Sequence, residues 1–151
     1  TPTKLTSASA LAPRHALPRR PFVPEQLTYD YAVIRAVPRV ERGEFVNVGV
    51  LVWCAPRRFL KARVSVNEIK ILALDPKADV DAIRKAAMAI PVICEGGPAA
   101  GDLSRLGLSE RFHWLVAPRS SSLQTSPVHM GRCEDLDAAL LKIFSEMVEP
   151  V

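Results

Sequence analysis

Apolar and polar residues alternate from Tyr29 to Val37, with Tyr29, Tyr31, Val33, Arg35 and Val37 on one face and Ala32, Ile34 and Ala36 on the other. A period of two predicts a strand, which Pro38 ends. The polar stretch Arg39–Glu44, with Gly43 in it, predicts a connection. Phe45–Cys54 is a β-branched run, and Gly49 in its interior signals a bulge or a close backbone approach. These two strands are expected to pair antiparallel. After a turn at Ala55-Pro56-Arg57-Arg58, alternation resumes over Phe59–Val66 and predicts a third strand. Asn67–Leu74 fits parts of both templates, so a short strand and a helical turn both stay open there.

The period then changes. Asp79 is a good N-cap for a helix carrying Val80, Ile83, Ala87, Met88 and Ile90, expected to stop or kink at Pro91, with Gly96-Gly97-Pro98 closing it. Ser109 is expected to cap a short helix over Glu110–Leu115, with Glu110 in its first turn. Leu123–Thr125 reads as a returning strand. Asp135 precedes a terminal helix in which Leu136, Leu140, Ile143, Phe144 and Met147 recur at three- and four-residue steps. The order β-β-β-α-α-β-α implies an α+β fold, a mostly antiparallel sheet with helices packed on one face.

Length and composition leave this picture unchanged. A chain of 151 residues, 48% hydrophobic, is enough for one core, expected over residues 29–151. Residues 1–28 are rich in Ala, Ser, Thr and Pro with no apolar period, and predict a disordered basic tail. Their Arg-rich, acid-poor composition also fits a transit peptide, though an extension or a mis-called start is the plainer reading.

Charge does change the picture. The net charge is +4, but residues 1–28 hold Lys4, Arg14, Arg19 and Arg20 against Glu25 alone, leaving 16 basic and 15 acidic residues in the body. A near-neutral body lacks the cation excess that displaces counterions from a duplex, so nucleic-acid binding is expected at most weakly and through the tail. Cys54, Cys94 and Cys133 are odd in number and widely spaced, which fits reduced thiols in the cytoplasm. No apolar run approaches the roughly 20 residues of a membrane-spanning helix, so no membrane partner is expected.

The stretch Tyr29-Asp30-Tyr31-Ala32-Val33-Ile34-Arg35-Ala36-Val37-Pro38, followed by Gly43-Glu44-Phe45-Val46-Asn47-Val48-Gly49-Val50, resembles the opening of the bacterial family catalogued as domain of unknown function 3037. Ser109-Glu110-Arg111-Phe112-His113-Trp114-Leu115, with Ala117-Pro118-Arg119-Ser120 and Ser126-Pro127-Val128-His129, resembles its second half. The resemblance implies no established activity. It does imply a partner, because members are commonly encoded beside a protein with a HipA-like kinase domain.

Two groups of polar residues are candidate sites. Glu44 and Asn47 open the second strand, with Arg35 on the first and Arg39 and Arg42 between them. Converged, they would suit a phosphate or an acidic peptide. The structural alternative is that Asn47 bonds the turn, Glu44 pairs with an arginine, and Arg35 lies along the sheet edge. The long polar loop Pro118–Arg132 offers Arg119 and several hydroxyls for an anion, and His129 as general acid or base; a solvated connection is the plainer reading.

Sharper motifs fail. His129-x3-Cys133 supplies one ligand pair where structural zinc needs two, and Gly96–Gly101 lacks the Lys-Ser/Thr ending of a phosphate loop. No metal or cofactor is expected. Trp53 and Trp114 could offer stacking platforms for bases, but their apolar neighbours assign them to core or interface packing, and the terminal helix suits either the core or a docked partner. The leading expectation is a non-catalytic protein-binding or regulatory module acting with a HipA-like kinase-domain partner. The alternative is a small enzyme or anion-binding protein acting on a phosphate-containing substrate through Arg35, Glu44, Asn47, Arg119 and His129, which requires those five to converge.

Overall fold

The computed structural model describes residues 25–149. Three strands lead, β1 (Leu27–Ala36), β2 (Val46–Cys54) and β3 (Phe59–Val64). Helices α1 (Glu68–Leu74) and α2 (Val80–Glu95), a 3-10 segment (Pro98–Arg105) and α3 (Leu108–Val116) follow, then β4 (Leu123–Thr125), β5 (His129–Cys133) and α4 (Leu136–Met147). All strand pairings are antiparallel. The order is β3-β2-β1, with β4 and β5 both on the far side of β1. The α+β fold with an antiparallel sheet is as expected; α1 and β5 are additions to the expected order.

The helices, expected on one face, cover both. The reason lies in β2, where every residue from Val48 to Cys54 is buried. Such a run has no solvent face to spare. Val48, Leu51 and Trp53 join Ile34 and Ala36 under α2 and α3, with Ile83, Ala87, Ile90, Phe112 and Leu115 above them. Val50, Val52 and Cys54 point the other way, with Leu27 and Tyr29, onto Leu136, Leu140, Ile143 and Phe144 of α4. The sheet is the middle of three layers.

The glycine signal in β2 is a bulge. Ile34 pairs Gly49 but Arg35 pairs Asn47, so Val48 is an extra residue on β2. Asn47 thereby shares the α4 face with Val50 and Val52, while Val46 and Val48 face α2.

Several element boundaries differ for local reasons. Leu27 and Thr28, assigned to the tail, lie in β1, and Leu27 is buried; the tail's first 24 residues lie outside the described ones. The ambiguous stretch after Asn67 is a helix because the Asn67 side chain accepts from the Lys70 amide at 3.1 Å. Asp79 and Asp135 cap α2 and α4 as expected. Ser109 is not the cap: α3 starts earlier, at Leu108, and its N-cap is Gly107, whose N–H donates to the Glu110 carboxylate at 3.1 Å. Pro91 does not stop α2. Burial of Ile93 and Cys94 beyond it offsets the roughly 3 kcal/mol that an interior proline costs. No helix among the described residues is long and apolar enough to cross a membrane.

Candidate functional site

The hairpin of β1 and β2 sets Arg35 directly opposite Asn47. The Asn47 amide donates to the Met147 carbonyl at 3.0 Å, tying β2 to an end-of-helix carbonyl of α4. The Arg35 guanidinium lies over the Phe45 ring at 4.1 Å. Glu44 turns back into its own connection, where Arg42 donates to it at 2.8 Å. That bond holds the Glu44 carboxyl below the usual carboxylate range. Arg39 is likewise occupied, by Glu41 at 3.0 Å.

Arg119 is elsewhere. It follows α3 and donates to the Trp114 carbonyl and, at 3.3 Å, to the Ala117 carbonyl, with its guanidinium stacked over the Trp114 ring at 4.7 Å. It therefore sits on the α2–α3 side of the sheet, opposite Asn47. His129 opens β5 opposite Tyr31, ring to ring at 5.4 Å. Strand parity puts it on the α4 face, four β1 residues from the Arg35 position, or roughly 13 Å at strand rise. Of the five candidates, only Arg35 and Asn47 are brought side by side. His129 and Cys133 are separated by the same roughly 13 Å along β5, too far to share a metal ion.

The polar loop Pro118–Arg132 is in large part sheet. β4 and β5 form a single interrupted edge, and Ser126 bridges the gap between them. Its amide donates to Val33 O at 2.8 Å, and its hydroxyl accepts from Val33 N at 2.9 Å while donating to Pro127 O at 2.9 Å. The hydroxyl stands in for a ladder carbonyl and is buried. Ser126→Ala leaves the Val33 amide without an acceptor and should lower stability by about 1–3 kcal/mol. Urea titration reads this as a lower midpoint, and an unchanged midpoint would refute the role.

An apolar recess lies beneath Arg119. A cleft of about 270 Å³ opens between α2, the end of α3 and β4, floored by Ile90, Ile93, Leu115 and Leu123 and rimmed by Trp114, Arg119 and Ser121. Of the two tryptophans assigned to core or interface packing, Trp53 is 7% exposed and stacks on Phe112 at 5.9 Å, whereas Trp114 is 42% exposed. The available signal was the arginine five residues after a tryptophan across a helix end, where carbonyls need donors. Arg111, by contrast, carried no signal of its own in the sequence. Its side chain is buried and donates to Leu106 O at 2.7 Å and Cys94 O at 3.4 Å. Chemically, the cleft suits an apolar side chain whose polar end meets a guanidinium, and no acid, base and nucleophile meet there.

Fold and cleft together define a three-layered α+β domain whose enclosed recess is apolar with one cationic rim. The chain belongs to the family described as protein of unknown function (DUF3037), whose model matches residues 31–148. Neither the curated proteins nor the solved structures supply a match.

Proposed function

We propose that this chain is a non-catalytic protein-binding module that acts with a HipA-like kinase-domain partner, docking it at the Trp114–Arg119 cleft. The observation that carries the reading is the half-exposed tryptophan held beneath a guanidinium at the mouth of an apolar recess. Tryptophan and arginine are the residue types that dominate binding energy at interfaces, above all where a pocket accepts an anchor side chain. At about 270 Å³ the cleft suits a side chain or two rather than a cofactor. The kinase-domain partner is suggested by the genomic company of the family, and cytoplasmic action by three unpaired cysteines, two of them buried.

The rival reading, an enzyme or anion-binding protein for a phosphate-containing substrate, needs its five residues in one pocket. Arg119 lies across the sheet from Arg35 and Asn47, and Glu44 is occupied by Arg42. That separation favours binding over catalysis.

Titration of the neighbouring kinase-domain protein by calorimetry tests the reading. Trp114→Ala and Arg119→Ala should each weaken the complex by about 2 kcal/mol, roughly thirtyfold. Asn47→Ala, across the sheet, should leave affinity unchanged in folded protein. Absence of a complex with the unaltered chain overturns the proposal.

A further inference from the structure

We propose a second binding site, at the open edge of β3, which receives an extended strand of another protein carrying acidic residues at alternate positions. Among the described residues no strand pairs the outer side of β3. The Ser65 amide donates to Val48 O at 2.7 Å, and Arg63, Lys61 and Phe59 pair with Val50, Val52 and Cys54. Backbone groups alternate along a strand, so those of Leu60, Ala62 and Val64 point outward. That edge is the floor of a groove of about 400 Å³, because α2 overhangs it from one face and α4 from the other. Pro91 and Cys94 form one wall and Leu140 and Leu141 the other, with Leu141 50% exposed. A floor of unpaired amides and carbonyls between apolar walls has the shape of a strand.

Charge selects the occupant. Lys61 and Arg63 project on the α4 face; Lys61 meets Asp137 at 2.8 Å, and Arg63 lies 5.2 Å from the Phe144 ring without an ion pair among the described residues. Glu95 faces the groove from α2. A second copy of this chain is a poor fit. Each antiparallel register that matches the outward groups of Leu60, Ala62 and Val64 sets Lys61 or Arg63 directly opposite a lysine or arginine of the other copy. Like charges so placed repel. The same pair attracts a strand with acids opposite Lys61 and Arg63 and apolar residues between them, turned toward α2. Lysine and arginine on an edge guard against indiscriminate pairing, and here they leave one kind of strand admissible.

The test uses the whole chain and a fluorescein-labelled peptide, capped at both ends, in which two glutamates alternate with three valines between terminal threonines. Anisotropy should report saturable binding, and the lysine-for-glutamate peptide should not bind. The double variant Lys61→Glu with Arg63→Glu should weaken the glutamate peptide about tenfold or more and now accept the lysine peptide. Ala62→Pro removes an outward N–H, which an edge strand tolerates, and should abolish binding of both. If that variant fails to fold, the charge exchange alone decides. Equal binding of both peptides, binding that survives Ala62→Pro, or no saturable binding overturns the proposal. Loss of binding in Trp114→Ala would move the peptide to the cleft and also overturn it, so this site and the proposed docking cleft succeed or fail separately.

Discussion

Gly49→Val should sharply lower the stability of the fold. A Cβ at Gly49 would lie 2.7 Å from Val64 Cγ1, 2.8 Å from the Arg63 carbonyl oxygen and 3.0 Å from Ile34 Cδ1. The second contact decides the matter, because a backbone oxygen in a paired strand cannot rotate away as a side chain can. Relieving it means parting β2 from β3 at the centre of the sheet, beside Ile34 and Val48, both fully buried. Overpacking a core costs about 1–3 kcal/mol per residue where side chains can adjust. With backbone in the way and two further methyls on valine, a loss of about 4 kcal/mol is expected, against a total stability for a typical domain of about 5–15 kcal/mol. Denaturant titration followed through the buried Trp53 measures it. Gly49→Ala should fall between valine and the unaltered chain, and a midpoint unshifted by valine would mean that the bulge is placed wrongly.

The same contacts give the stretch Glu44-Phe45-Val46-Asn47-Val48-Gly49 a structural role. Phe45 lies beneath Arg35, Asn47 ties β2 to the last residue of α4, Val48 is the extra residue of the bulge, and Gly49 lets β3 approach. Four of its residues thus hold three layers in register, while Glu44 pairs with Arg42. A conspicuous polar cluster in a sequence can be what fastens a sheet to a helix.

What could be read from the chain follows from how local each cause is. β1, β2 and β3 were legible because alternation and the flanking turns lie within a few residues of each strand, and Asp79 and Asp135 cap from one position away. The side of the sheet that each helix covers was not, since it depends on both faces of β2 being apolar and on which helix arrives where. β5 was hidden for a different reason. His129-Met130-Gly131-Arg132-Cys133 has no apolar period, and the strand exists through pairing with β1, where a Cβ at Gly131 would fall on the Tyr29 ring. Of the candidate site, the adjacency of Arg35 and Asn47 was legible from the hairpin. The position of Arg119 on the opposite face required the path of α3, and the groove beside β3 required two helices distant in sequence.

Arg111→Met should be the most disruptive change outside the sheet, through a buried group that makes no ion pair among the described residues. Its guanidinium reaches Leu106 O at 2.7 Å and Cys94 O at 3.4 Å, joining the last turn of α2 to the segment that enters α3. The partial negative charge at the end of α2 takes the place of a carboxylate. Cys94 is beside it, but burial pushes that thiol up to about 12, outweighing the pull of Arg111, so the thiol is neutral at physiological pH and supplies no counter-charge. Methionine fills much of the space and strands both carbonyls, at about 1–3 kcal/mol each. A total near 3 kcal/mol is expected, with amide exchange accelerating first over residues 95–107, where a Cβ at Gly96 would lie 3.3 Å from the guanidinium. Lysine should not rescue it, because one ammonium on a flexible stem does not span two diverging carbonyls as a planar fork does. Equal stability of the lysine variant and the unaltered chain would show that charge alone, rather than the fork, holds α2 to α3. The Trp114–Arg119 cleft is built between these same two helices, so Arg111→Met should also weaken the docking proposed there, although Arg111 does not line the cleft.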